Sequence, residues 1–222
     1  MSSISENIQK LKNNLAEDVT LVAVSKTKPV SDIMEAYNAG QRIFGENKIQ
    51  EMESKWQEMP KDIQWHMIGH VQTNKVKYIA PFVSLIHAVD SLKLLKEINK
   101  QAKKNDRIIE CLLQIKIAEE DSKFGMTEVE AKDLLASEEL KQFPHVKIVG
   151  LMGMATFTEN KTQVSNEFQR LKKFYDQFKI QPRLLSGSEF RFLSMGMSGD
   201  FQLAIANDSN MVRVGSAIFG ER

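Results

Sequence analysis

The sequence predicts an α/β protein of the (β/α)8 TIM-barrel class, folded as a single domain over residues 1–222. Two observations carry this. Eight short apolar runs alternate with helix-forming segments along the whole chain, and 222 residues lie within the size range of that barrel. A third argues against the competing doubly wound open sheet: no Gly-rich dinucleotide fingerprint follows the first apolar run.

The chain opens with an amphipathic pattern that places Ile4, Ile8, Leu11 and Leu15 on one helix face. Leu21, Val22, Ala23 and Val24 leave no polar face, as in a strand covered on both sides by helices. Pro29 blocks extension of that strand. Ser31 is expected to cap the next helix, built on Ile33, Met34 and Tyr37, and Gly40 to end it. Further strands are predicted at residues 41–45, 63–70 and 82–89, with Asp90 or Ser91 capping a helix that carries Leu92, Leu95, Ile98 and Ala102. A helix at residues 72–79 stops at Pro81. The fifth and longest strand is expected at residues 108–117, and Thr127 and Glu130 have the spacing of a capping box. A sixth strand at 146–152 precedes a helix with Val164, Phe168, Leu171, Tyr175 and Phe178. The seventh is read at 191–194 and the eighth at 211–214, with a helix at about 200–206 between them. Residues 180–189 are the most loop-like interior stretch.

Thirty basic against 29 acidic residues give a net charge of +1, so no global field favours a nucleic acid or an anionic membrane as partner. Cys111 is the only cysteine, which excludes an intramolecular disulfide and a cysteine metal cluster; its apolar neighbours place it in the core. No continuous apolar run suggests a signal peptide or a membrane span, so a soluble, cytoplasmic protein is expected. His66 and His70 have the spacing of a helical metal pair but fall on a predicted strand with no acidic ligand nearby in sequence. His66 therefore reads as an inner-barrel residue, and no metal is expected.

Lys26 follows the first strand at its carboxyl end, where ligands bind in α/β folds. It is either a snorkelling lysine at the rim or a Schiff-base lysine, made more nucleophilic by partial desolvation and by Lys28. In a barrel the loops after strands seven and eight are the expected phosphate cradle. There Gly196 and Gly199 allow close backbone approach to an anion, Ser198 offers a hydroxyl, and Gly215 and Ser216 repeat the pattern. Arg213 interrupts an apolar strand, so it either pairs with a neighbouring strand or contacts a ligand. Met152, Met154, Met195 and Met197 either fill the core or pack on a flat ligand.

VAVSKTKP at 22–29, FGEN at 44–47, WHMIGHVQTNK at 65–75, GLMGMAT at 150–156, LSMGMSGD at 193–200 and MVRVGSAIFG at 211–220 together resemble the pyridoxal 5′-phosphate homeostasis protein family. That family is similar to the N-terminal barrel of alanine racemase, the third fold type of pyridoxal-phosphate proteins. The resemblance implies that Lys26 holds the cofactor as an internal aldimine, a Schiff base, and that Ser198, Gly215 and Ser216 hold its phosphate. It further implies that Arg213 approaches the pyridine nitrogen and that Asn47 lines the pocket. Lys75 matches the family's NK motif, as a second ligand-handling group or as a surface lysine. Thr73 and Ser216 stand where the family often has Ser and Thr, and both exchanges keep the hydroxyl.

An arginine donates hydrogen bonds but accepts none, so it leaves the ring nitrogen unprotonated and the ring a weak electron sink. A racemase also needs an acid or base on the opposite face, supplied in alanine racemase by another domain that 222 residues do not provide. The expectation is therefore a cofactor-binding protein of intracellular vitamin B6 homeostasis without robust turnover. It is expected to be a monomer that makes transient contact with pyridoxal-phosphate-dependent apo-enzymes. The rivals are a weak pyridoxal-phosphate-dependent amino-acid racemase and a lysine Schiff-base aldolase acting on a phosphorylated sugar.

Overall fold

A computed structural model describes residues 3–119, 124–180 and 190–221. Eight parallel strands close into a barrel in sequence order: β1 (Thr20–Val24), β2 (Ile43–Glu46), β3 (Gln64–Met67), β4 (Leu85–Val89), β5 (Ile109–Ile115), β6 (Val146–Gly153), β7 (Phe192–Met197) and β8 (Met211–Val214). β8 closes the ring on β1 with Met211 opposite Thr20 and Arg213 opposite Val22. Around it lie α1 (Ile4–Asn14), α2 (Val30–Asn38), α3 (Ile49–Glu58), α4 (Val76–Ile79), α5 (Leu92–Lys104), α6 (Glu128–Ala136), α7 (Lys161–Ile180), α8 (Phe201–Ala206) and α9 (Ser216–Phe219). Among the described residues no helix is long and apolar enough to cross a membrane.

The predicted strands all form, with local differences. β6, with eight residues, is longer than β5, with seven, because a bulge between Cys111 and Leu112 lets β6 run one residue ahead of its neighbour. β7 continues through Met195, Gly196 and Met197, which the sequence reading assigned to the following loop; the strand accommodates Gly196 at φ 91° instead of ending there. β4 starts at Leu85, three residues later than expected, and residues 73–75 form a 3-10 turn ahead of a short α4. Ser31 does not cap α2. The helix begins at Val30 with Pro29 in the cap position, and the Ser31 hydroxyl turns to Asp32. The Ser91 cap and the Thr127–Glu130 capping box are present, and Gly40 ends α2 at φ 87°. The expected loop at 180–189 lies almost wholly outside the described residues.

Strand side chains alternate between the lumen and the helix shell. Val22, Leu85, Leu112, Met152 and Met211 belong to a compact lumen cluster, while Ala23, Phe44, Trp65, Met67 and Val212 join the larger core under the helices. Two residues further along three strands, at the same inward-facing phase, the lumen turns polar: His87 after Leu85, Ser194 after Phe192 and Arg213 after Met211. His66 joins them from β3. Cys111 is fully buried, and burial pushes its thiol up, so it is an inert core residue.

Candidate functional site

The carboxyl ends of the strands surround a cavity of about 640 Å3, within the range of small-molecule sites. Val24 and Lys26 line it, while the intervening Ser25 turns outward towards α3. The Lys28 N–H donates to the Ser25 carbonyl at 3.1 Å, closing a tight turn over Ser25, Lys26, Thr27 and Lys28. Its third residue, Thr27, has φ 64°, a left-handed conformation that such turns usually give to glycine. A β-branched residue there stores about 1–3 kcal/mol, which its surroundings must hold in place.

Those surroundings are a buried charge cluster on β2 and α3. The Thr27 N–H donates to Glu51 Oε1 at 2.5 Å, and Lys55 Nζ donates to the Ser25 carbonyl at 2.8 Å. Lys55 also pairs with Glu46 and Glu51, each at 2.7 Å, and the Ser25 hydroxyl donates to Glu46 at 2.6 Å. Glu46 is fully buried. Burial pushes its carboxyl up, opposed by the bonds from Lys55 and Ser25. Lys28 lines the cavity too, with its ammonium anchored on the carbonyls of Phe219 at 2.9 Å and Gly220 at 3.3 Å.

The adjoining wall comes from the ends of β7 and β8, the latter paired with β1. The Gly215 N–H donates to Ser198 Oγ at 3.0 Å, tying the two loops together, and the Met197 N–H donates to Asp200 at 2.6 Å. Gly196 must be glycine, since a Cβ there would lie 2.6 Å from that of Ala204. Gly199 need not be, because a Cβ there meets nothing within 4 Å. Ser216 opens α9, whose first amides have no intrahelical partner.

Arg213, on β8 itself, is 4% exposed and lines the cavity. Its Nη1 donates to the Ser194 carbonyl at 2.9 Å and to Ser194 Oγ at 2.6 Å, and its Nη2 donates to the Gly153 carbonyl at 3.0 Å. Those bonds, to the neighbouring β7 and to β6 beyond it, are to neutral acceptors, not to a carboxylate. Burial pulls its guanidinium down to about 10, which leaves it charged at neutral pH. Ser194 Oγ lies 3.2 Å from His87 Nδ1, and His87 Nε2 lies 3.0 Å from His66 Nδ1.

Burial drives the His66 imidazole down to about 3 and that of His87 well below its ordinary value. In the unfolded chain both titrate near 6.5. As the pH falls through 6.5 the unfolded chain binds protons that the folded chain refuses. Stability present above pH 6.5 is therefore lost on acidification, by up to about 1.4 kcal/mol per pH unit for each histidine. Glu46, whose carboxyl is raised, acts in the opposite sense where it titrates. Urea unfolding at pH 7.5 and at 6.0 should show the lower stability at 6.0; equal values would contradict two buried neutral imidazoles.

Lys26, Asn47, Ser198, Arg213, Gly215 and Ser216, separated by up to 190 positions in the chain, all line this one cavity. Asn47 packs so closely on Gly69 that a Cβ there would lie 2.4 Å from the Asn47 carbonyl oxygen. Lys75 sits in the 3-10 turn, half-buried, and is not among the lining residues. His66 and His70 do not converge: His66 is in the lumen, whereas His70 lines the cavity, stacks on Phe124 at 4.9 Å and has Nδ1 3.4 Å from Asp90. Among the described residues no three His, Cys, Asp or Glu side chains gather as metal ligands. Met154 and Met197 line the cavity; Met152 and Met195 are core. Gln114, Phe124, Thr156 and the cavity-facing place of His70 are not singled out by the sequence, since they come from the ends of β3, β5 and β6 and carry no local signal.

The model of the alanine racemase N-terminal domain family matches residues 1–222. The chain is 36% identical to the pyridoxal phosphate homeostasis protein of Aquifex aeolicus over 226 aligned residues, spanning 100% of this chain and 96% of that protein. It therefore belongs to the pyridoxal phosphate homeostasis protein family, within the alanine racemase N-terminal domain class. Among solved structures, PipY of Synechococcus elongatus PCC7942 with PLP bound superposes with a TM-score of 0.88 at 33% identity, covering 98% of this chain and 100% of PipY. An alanine racemase of Clostridium difficile 630 shares the fold, with a TM-score of 0.76 at 16% identity over 99% of this chain and 57% of the racemase.

Proposed function

We propose that this chain binds pyridoxal 5′-phosphate in the cavity and serves intracellular vitamin B6 homeostasis by holding the cofactor without robust turnover. The observation that carries this reading is the convergence on one cavity of an amine, a cradle and a donor-only cation. Lys26 presents the amine from a clamped turn. Ser198 and Ser216 present hydroxyls suited to a phosphate beside Gly215, whose amide holds Ser198 Oγ in place; Arg213 presents N–H groups suited to a ring nitrogen, and Asn47 closes the wall. When bound, the cofactor supplies an aldehyde and an electron-withdrawing ring; Arg213 has no site to accept a proton and leaves that ring a weak electron sink. The family relatives named above, and PipY with PLP bound, support the reading. Action as a monomer, in the cytoplasm, with transient contact to pyridoxal-phosphate-dependent apo-enzymes belongs to the same proposal.

A second reading, a slow amino-acid racemase, draws on His70, which lines the cavity beside Asp90 and can carry a proton. Titration of the purified protein with pyridoxal phosphate separates the readings. A visible absorption band that saturates in the wild type and is lost in Lys26→Ala, without amino-acid turnover, is the expected result. Racemisation abolished by His70→Ala would favour the enzyme, and no band in the wild type would overturn cofactor binding.

A further inference from the structure

The polar layer of the lumen has a direction. An arginine has five N–H donors and no acceptor, so Ser194 Oγ must accept from Arg213. The Ser194 hydroxyl is fully buried, and its own proton needs an acceptor or costs about 1–3 kcal/mol. His87 Nδ1, 3.2 Å away, is that acceptor. A neutral His87 that accepts at Nδ1 carries its proton on Nε2 and donates it to His66 Nδ1 at 3.0 Å. His66 in turn carries its proton on Nε2. Each donor along the line thus points away from Arg213, across the barrel from β8 through β7 and β4 to β3.

We propose that Ser194, His87 and His66 are positioning residues, a one-way hydrogen-bond relay that fixes the Arg213 guanidinium and leaves it facing the cavity only as a donor to an unprotonated ring nitrogen. The proposal rests on the cofactor reading above and deepens it. Three bonds, two to Ser194 and one to the Gly153 carbonyl, engage three of the five donors, which leaves two for a ligand. The relay has no group that returns a proton towards the cavity: Ser194 is committed to His87, and His87 to His66. Selectivity for a flat heteroaromatic ligand through its bare ring nitrogen is then set by residues that do not themselves touch the ligand. Burial supports this by keeping both imidazoles neutral.

Long-range 15N–1H correlation spectra of the labelled full chain, without added ligand at pH 7.5, read histidine tautomers directly. The expected result is the Nε2–H form at both His66 and His87; an Nδ1–H or doubly protonated ring at either position overturns the relay. Dissociation constants for pyridoxal phosphate then test its consequence. Removing the hydroxyl acceptor in Ser194→Ala should weaken binding about tenfold or more, as expected for a lost bond to a charged group, while Ser194→Thr, which keeps the hydroxyl, retains affinity. Equal affinity of wild type and Ser194→Ala overturns the positioning role. A wild type that binds no pyridoxal phosphate overturns the cofactor reading, and the tautomers still decide the relay.

Discussion

Lys55→Met is expected to cost about 3–5 kcal/mol of folding stability, because it strands the fully buried carboxylate of Glu46 without its partner. The loss extends beyond the ion pair. Lys55 also donates to the Ser25 carbonyl and pairs with Glu51, which accepts from the Thr27 amide, so the same substitution releases both sides of the turn that presents Lys26. Cofactor affinity should therefore fall along with stability. Urea unfolding and pyridoxal-phosphate titration of the same sample check both. The double variant Glu46→Gln/Lys55→Met removes the stranded charge and should recover much of the stability but not the affinity, since the Ser25 carbonyl keeps only the Lys28 N–H and still lacks the Lys55 ammonium. A single variant as stable as the wild type would show that the cluster does not hold the turn.

Gly150→Ala should be at least as damaging to folding, by about 3 kcal/mol or more. Gly150 has φ 155° in the bulged part of β6, and a Cβ there would lie 1.8 Å from the carbonyl oxygen of Phe192 on β7. Backbone, not a flexible side-chain tip, occupies that space, so β6 and β7 must separate. Gly153, which accepts from Arg213, ends the same strand, and Ser194 lies two residues beyond Phe192; the disturbance therefore reaches the cofactor wall. Thermal unfolding checks the prediction, and an unchanged midpoint would contradict the close packing of these strands.

The barrel was legible because its signals are local: apolar runs of strand length, Ser91, Gly40 and the Thr127–Glu130 capping box each act within a few residues. Ser31 misled because Pro29, which in sequence reads as the stop to β1, itself takes the cap position and starts α2 two residues earlier than a Ser31 cap allows. Gly196 misled because a glycine with positive φ reads as a turn, whereas here it continues β7 against Ala204. The candidate residues that line the cavity were legible one by one at strand ends. The groups that hold them were not: Glu46 and Lys55 support Ser25 from two other elements, and His66, His87, Ser194 and Arg213 meet only across the closed lumen. Thr27 carries no hint of its left-handed backbone, since nothing in a threonine favours it; the turn and Glu51 impose it.

Whether Lys26 holds the cofactor is decided by borohydride reduction of the protein loaded with pyridoxal phosphate, followed by proteolysis and mass mapping. The predicted result is one pyridoxyl-phosphate adduct, on the peptide that carries Lys26, formed stoichiometrically and absent from Lys26→Ala. An adduct located instead on Lys28 or Lys75, or no adduct at saturating cofactor, would contradict the account.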